Sequence, residues 1–397
     1  MQRSVRLFGL ALSMLGLAGC GVSSSLGSDH APTYKTQSVS ENRTQVRIYF
    51  HDISQVDDLA RHGVDLFENA NRAQGWVDAS VTPKTEAYLK LTGLRYTVTQ
   101  RIMALSGFPS GYLKVNALYQ DLKAVAAAHP KIVHLSTIGS SLENRPITAV
   151  EITSHPDQNL PGVLIDSGQH ARELPPVEIT DRLIHLLAEN YGHDATITHL
   201  VDTHDIWIVP LVNPDGRIRV QQGDSMWRKN VRDNGDGTFG VDPNRNANDH
   251  FYEGDTDGSA DDFRGSAPFS EPESQAIRSL FLHHKFALSL DIHNYAGMVL
   301  WPPGYTDGVT KDEATFRRIG DHMAQPIGYQ AGTIAHVIYH TYGDLATWEY
   351  DKYGTLAFAV ELNDSGFAVP YSQVKRDWQD WKNNLLYFIG QADPQAN

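Results

Sequence analysis

The sequence predicts a large α/β domain, a mixed and mostly parallel twisted sheet flanked by helices, preceded by a small α+β open sandwich of the ferredoxin-like kind. Three observations carry this. Apolar runs of strand length alternate with amphipathic helical stretches over roughly 290 residues beyond Ser106, the pattern of a sheet buried on both faces. Before them, a β-α-β-β-α-β order fits within about sixty residues. A hydrophobic content of 41% with 10% aromatic residues places the chain among globular proteins.

The first residues read as an address. Arg3 and Arg6 form a short positive region, and Leu7 to Leu17 is apolar but too short to span a bilayer as a mature helix. The stretch ends in Leu17-Ala18-Gly19-Cys20, similar to a bacterial lipobox, which predicts a signal peptide over residues 1–19 and lipidation of Cys20, the chain's single cysteine. The second residue after Cys20 is Val22, so no aspartate signals retention at an inner membrane, and a lipid-anchored place in the bacterial cell envelope is expected, at the outer membrane if the cell is Gram-negative. With that cysteine committed to lipid, any metal must be held by His, Asp and Glu. Residues 20–43 are polar and aperiodic and predict a flexible tether.

Residues 44–101 carry the small unit. Val46, Ile48 and Phe50 alternate as a strand; Val56 to Ala60 suits a helix; Val64 to Phe67 and Trp76 to Val81 read as strands. Pro83 opens a helix to Leu91, and Leu94 to Val98 closes the unit. The large domain, residues 106–392, opens with a helix from Asn116 to His129, ended by Pro130. Strand-like runs follow at Ile132 to Ile138, Ile147 to Ile152, Val163 to Ile165, Ile206 to Val209, Leu288 to Ile292 and Leu356 to Leu362, with a helix from Val177 to Tyr191. A formal charge of −14 excludes nucleic acid and anionic lipid as targets, since both reward clustered Lys and Arg. The membrane is then met only through the lipid, and a monomer is expected.

Chemistry gathers where apolar strands end. His170-Ala171-Arg172-Glu173 follows Val163 to Ile165 and precedes a helix announced by Pro175-Pro176; a His and a Glu three apart can reach one Zn²⁺. A second such pair, His250 and Glu253, lies in an Asp/Gly-rich loop fed by no apolar strand and reads as surface. His293 ends the run Leu288 to Ile292 and offers a third ligand. Glu361 lies at the end of another, Leu356 to Leu362, where a buried carboxylate is costly unless it has a task. Two imidazoles and two carboxylates at three strand ends suit one hydrolytic zinc ion with an open position. Asp233 to Gly237 and Asp255 to Gly258 lack the spacing of a calcium loop and read as turns.

These residues sit in motifs that resemble the zinc carboxypeptidases of the pancreatic A and B type. In order they are Gly168 to Glu173, Asn213 to Gly216, Met226 to Asn230, Gly240 to Asn246, Arg264-Gly265, Ser270 to Glu273, His293 to Tyr295 and Phe358 to Leu362. The resemblance implies a carboxypeptidase-like fold, one zinc ion held by His170, Glu173 and His293, and Asp242 orienting His170. It implies that Glu361 is the general base and that Arg228 faces the developing oxyanion. Asn244 and Arg245 would bind the terminal carboxylate of a peptide substrate, Tyr339 would close over it, and Arg172 would contact the substrate further back. The layout of residues 44–101 resembles the family's activation segment, removed by cutting near Arg101. Ala346 stands where the B type has an aspartate, while Asp344 matches an acidic position of some bacterial members, which implies acceptance of basic as well as apolar termini. Ala247 stands where the family has an aromatic residue and Ser225 where it has a basic one, which bears on the pocket wall and the outer subsites but removes no catalytic group. Two rivals remain at this level: an amidase of cell-wall stem peptides on the same scaffold, and a binding lipoprotein without activity. The second is disfavoured because every ligand and the base are present.

Overall fold

The computed structural model describes residues 43–101, 107–363 and 365–392. The expected signal stretch, Cys20 and the expected tether up to residue 42 lie outside them; Arg43, expected to belong to the tether, is instead buried and paired with Asp65 and Asp261. No helix among the described residues is long and apolar enough to cross a membrane.

The small unit forms as its pattern dictates, in the order β1 (Thr44–Tyr49), α1 (Ile53–Arg61), β2 (Asp65–Asn71), β3 (Trp76–Val81), α2 (Pro83–Thr92) and β4 (Tyr96–Arg101). Capping boxes start both helices: Asp52 with Gln55 on α1 and Thr82 with Thr85 on α2, where Pro83 takes the first helical position. The four strands are ordered β2-β3-β1-β4, the open sandwich expected. Two strands depart from the expected bounds: β4 covers Tyr96–Arg101 rather than Leu94 to Val98, and β2 is longer than expected. β2 runs on past Phe67 to Asn71, and its register slips: Leu66 pairs with Ala79 but Ala70 with Val77, so β2 holds two more residues than its partner across this stretch. Such a bulge re-aims side chains.

The large domain follows with α3 (Val115–Ala128), β5 (Val133–Ser140), β6 (Pro146–Ile152), β7 (Gly162–Ser167), α4 (Pro175–Asn190), α5 (Ala195–Thr203), β8 (Asp205–Val209), α6 (Pro214–Gln221), α7 (Pro272–His283), β9 (Phe286–Asn294), β10 (Met298–Trp301), α8 (Glu313–Ala324), β11 (Gln330–Thr333), α9 (Ile334–Val337), α10 (Leu345–Tyr353), β12 (Leu356–Leu362) and α11 (Tyr371–Gly390). Eight strands make one mixed sheet, β11-β10-β12-β9-β7-β8-β6-β5. The central pairs β12–β9, β9–β7 and β7–β8 are parallel, which explains their unbroken apolar sequences. On one face the core joins Leu122 of α3, Leu183 of α4 and Trp381 of α11; on the other it joins Ile277 of α7 and Trp348 of α10. The small unit shares a third apolar cluster, Val46 and Leu66 with Leu300, Ile338 and Tyr339, so the two units are packed together.

The motif at Ser270 to Glu273 is a buried polar knot rather than part of the cleft. Asn230 Nδ2 donates to Glu271 Oε2 (2.7 Å) and to Glu273 Oε2 (2.9 Å). Burial, above all, pushes the Glu273 carboxyl up to about 8. Because its folded value lies above the unfolded one, near 4.3, folding is penalised increasingly as pH rises through this window, and fully above it. Glu273→Gln is therefore expected to leave stability unchanged at pH 4 and raise it at pH 9 by on the order of 2 kcal/mol. Thermal melts across pH test this: a gap that does not widen with pH contradicts it.

Candidate active site

The turn after β7 positions the first two ligands. Gly168 adopts a left-handed φ of +70°, and a Cβ there would approach Leu211 Cδ1 to 2.8 Å, so the turn demands glycine. His170 and Glu173 project from it ahead of α4, whose first two positions are Pro175 and Pro176. His293 comes from the end of β9. His170 Nδ1 lies 2.7 Å from Glu173 Oε1 and His293 Nδ1 lies 3.1 Å from Glu173 Oε2. All three are buried, and their ligand atoms fall within 4.8 Å of one another. Two ring nitrogens converging on one carboxylate form a donor set that fits zinc.

Each imidazole is held from behind. His170 Nε2 lies 3.3 Å from Asp242 Oδ1, within ion-pair range though without hydrogen-bond geometry. His293 Nε2 meets Asp291 Oδ2 at 2.6 Å and Asn244 Nδ2 at 3.2 Å. Carboxylates in this position fix ring orientation and raise ligand basicity. Burial works to lower the His293 pKa, but Asp291 and Glu173 outweigh it and carry it well above the ordinary value. For Glu173 burial works upward, and His170 and His293 together pull the carboxyl below its usual range.

Glu361 on β12 is the in-register neighbour of His293 on β9. It lines the same cavity as His170 and His293, and its Oε2 is buried without a hydrogen-bond partner. Burial first, then the charges of Glu68 and Glu173, raise its pKa well above the ordinary carboxyl value.

Arg228 donates through Nε to Asp242 Oδ2 (2.9 Å) and through Nη1 to Glu68 Oε1 (3.2 Å). Asn244 and Arg245 follow Asp242, whose Oδ1 accepts the Asn244 backbone N–H (2.8 Å). Asn244 Oδ1 in turn accepts from Leu345 N (2.9 Å), while Arg245 Nη1 donates to its neighbour's carbonyl (2.8 Å) and is in no ion pair among the described residues. Gly343, at φ +71°, packs so closely on this segment that a Cβ would lie 2.3 Å from Arg245 O. Tyr339 is buried, its hydroxyl 3.4 Å from Leu66 O. Arg172 donates twice to one carboxylate, Nη1 to Asp65 Oδ2 (2.8 Å) and Nη2 to Asp65 Oδ1 (2.9 Å). Leu300, Ile334, Ile338, Ala346 and Ala359 give the cavity apolar walls, with Asp344 among them. Asp344 is not a solvated turn residue: Oδ1 caps α10 by accepting from Thr347 N (2.8 Å), and Oδ2 accepts from Thr341 Oγ1 (2.9 Å).

The family model for zinc carboxypeptidases matches residues 118–384. The chain belongs to the zinc carboxypeptidase family. Among its relatives, carboxypeptidase A2 of Mus musculus is 32% identical over 277 residues, which cover 66% of this chain and 66% of that relative. Carboxypeptidase A1 of Rattus norvegicus is 26% identical over 403 residues, covering 92% and 94%, an alignment that takes in most of the small unit. The crystal structure of carboxypeptidase A from Helicoverpa armigera superposes with a TM-score of 0.79 at 23% identity, covering 89% of this chain and 98% of that one, a likeness of fold. Zinc is the metal of this family, and His170, Glu173 and His293 are the residues here that would hold it. The second His-x-x-Glu pair stays apart from the site: His250 Nδ1 meets Glu253 Oε1 at 2.8 Å on the surface, with the ring stacked on Tyr305.

Sequence reasoning missed three residues of the site. Asp291 precedes His293 by two positions on β9, and the two-residue period of a strand puts both on one face, a signal that was present. Asp65 and Glu68 are different. The docking of the small unit sets Asp65 on Arg172 and brings Glu68, from within the bulge of β2, into the cavity, and neither the docking nor the bulge has a local signature.

Proposed function

We propose that the chain is a zinc-dependent carboxypeptidase that hydrolyses the last peptide bond of substrates with a free terminal carboxylate. The observation that carries this reading is the pairing of Glu361 with His293 across β12 and β9, which sets an unpartnered carboxylate beside the ligand set. A bound zinc would polarise the scissile carbonyl and acidify water. Glu361 takes the proton of the attacking water and hands it to the leaving amine. Arg228 offers its charge to the oxyanion, a contribution of roughly 3–4 kcal/mol from one preorganised donor. Arg245 receives the substrate's terminal carboxylate, since it is a buried cleft cation without an ion pair among the described residues, and Asn244 assists. Tyr339 closes that end, and Arg172 holds the chain further back. Profiling a C-terminal peptide library with and without a zinc chelator tests the whole reading; release that survives complete zinc removal ends it.

The apolar cavity walls favour apolar terminal residues, and Asp344 extends acceptance to basic ones. Asn caps a helix as well as Asp, so Asp344→Asn keeps α10 and removes only the charge. Rates on Lys-ending peptides are expected to fall about tenfold, with Phe-ending peptides little changed. Equal rates on the Lys-ending peptide before and after the substitution remove Asp344 from specificity.

The small unit is an inhibitory segment. Strand β2 engages three substrate-facing groups at once, Asp65 on Arg172, Leu66 O near Tyr339 and Glu68 on Arg228. Release follows cutting near Arg101. Export and lipid anchoring rest on the Leu17 to Cys20 motif; Cys20→Ala is expected to abolish palmitate labelling of the chain, and retained labelling rules the anchor out.

A further inference from the structure

A second group of metal-ligating side chains lies away from the cleft, between α3 and α4. Asp181 and His185 are one turn apart on the same side of α4, and Asp121 reaches across from α3. Their ligand atoms lie within 4.8 Å of one another. His185 Nε2 is 2.7 Å from Asp121 Oδ2, and its other nitrogen, Nδ1, is 2.8 Å from Glu189 Oε1. The ring is thus fixed on one side by Glu189 while Nε2 faces Asp121, with Asp181 within reach of both, an arrangement akin to that around the imidazoles of the cleft.

Asp181 makes this more than a surface ion pair. It is 9% exposed, and its Oδ1 is buried with no hydrogen-bond partner. Among the described residues no lysine or arginine forms an ion pair with Asp121 or Asp181, and the adjacent Arg182 donates instead to Tyr371 Oη (3.1 Å). A buried carboxylate set against another is costly unless a cation, or a proton shared with Asp121, joins them. The side chains of His185 and Asp121 remain about one-third exposed, which leaves an entry path. We propose that Asp121, Asp181 and His185 form a second divalent-metal site that pins α3 to α4, with Glu189 orienting the imidazole. One nitrogen and two carboxylates, completed by water, suit Zn²⁺ or Mn²⁺.

Zinc content of the full chain after equilibrium dialysis at micromolar free Zn²⁺ provides the test. Two equivalents are expected in the parent, against one in Asp181→Asn and one in His185→Gln, whose remaining ion is the catalytic one. Zinc beyond the first equivalent is also expected to raise the melting temperature of the parent and not of either variant. A single equivalent in the parent, or two in a variant shown folded by circular dichroism, overturns the proposal and leaves an ordinary His185–Asp121 ion pair. Should one variant not fold, Asp121→Asn on the opposite helix serves in its place and is expected to bind one equivalent; two would overturn the site.

Discussion

Glu361→Gln is expected to lower kcat by on the order of a thousandfold while leaving KM and zinc content nearly unchanged. Glutamine is close to glutamate in size, so the pairing of β12 with β9 and the packing around Met298 should survive. What it removes is the capacity to take a proton. A loss of that size corresponds to about 4 kcal/mol of transition-state stabilisation. The contrast is His293→Ala, which takes away a ligand and should reduce zinc occupancy along with rate. Measuring metal content beside kcat separates the two cases. A Glu361→Gln enzyme that loses zinc, or that loses less than about tenfold in kcat, would remove Glu361 from the role of base.

The central sheet could be read from the chain because strands buried on both faces leave unbroken apolar runs, as Val163 to Ile165 and Leu288 to Ile292 do. Ligands at the ends of such runs stand out, since a His or Glu there has no solvent to turn to. The peripheral strands β10 and β11 did not stand out. They are four residues each, and Gln330-Ala331-Gly332-Thr333 becomes a strand only by pairing with β10. Helix α10 escaped for a related reason, since its local periodicity is weak, whereas α8 was missed although it is clearly amphipathic and its pattern legible. Arg228 and Glu68 mark the real limit. They are 160 residues apart, and what joins them is the docking of one unit on another.

That docking yields the second large effect. Asp65 is held by Arg172 and by Arg43, whose Nη1 also reaches Asp261 Oδ2 at 2.6 Å. Removing one partner of such a buried pair costs about 3–5 kcal/mol in the closed arrangement, because the guanidinium left behind is uncompensated. In the open arrangement Arg172 meets water and the cost disappears. Asp65→Ala should therefore enlarge the open fraction, and with it kcat/KM of the uncut chain, by about 100-fold. If the small unit inhibits as proposed, Glu68 would add a separate brake. Its carboxylate occupies Arg228, and after burial its charge is the largest influence raising the Glu361 carboxyl above its ordinary value. On the proposed inhibitory role, Glu68 would obstruct the oxyanion partner directly through its contact with Arg228. Glu68→Ala should accordingly raise the activity of the uncut chain, and combining it with Asp65→Ala should raise it further. After cutting near Arg101, the parent and all three variants should converge on one kcat/KM, since the altered residues leave with the small unit. Uncut variants no more active than the uncut parent, or an uncut parent already as active as the cut enzyme, would show that β2 does not restrain the site.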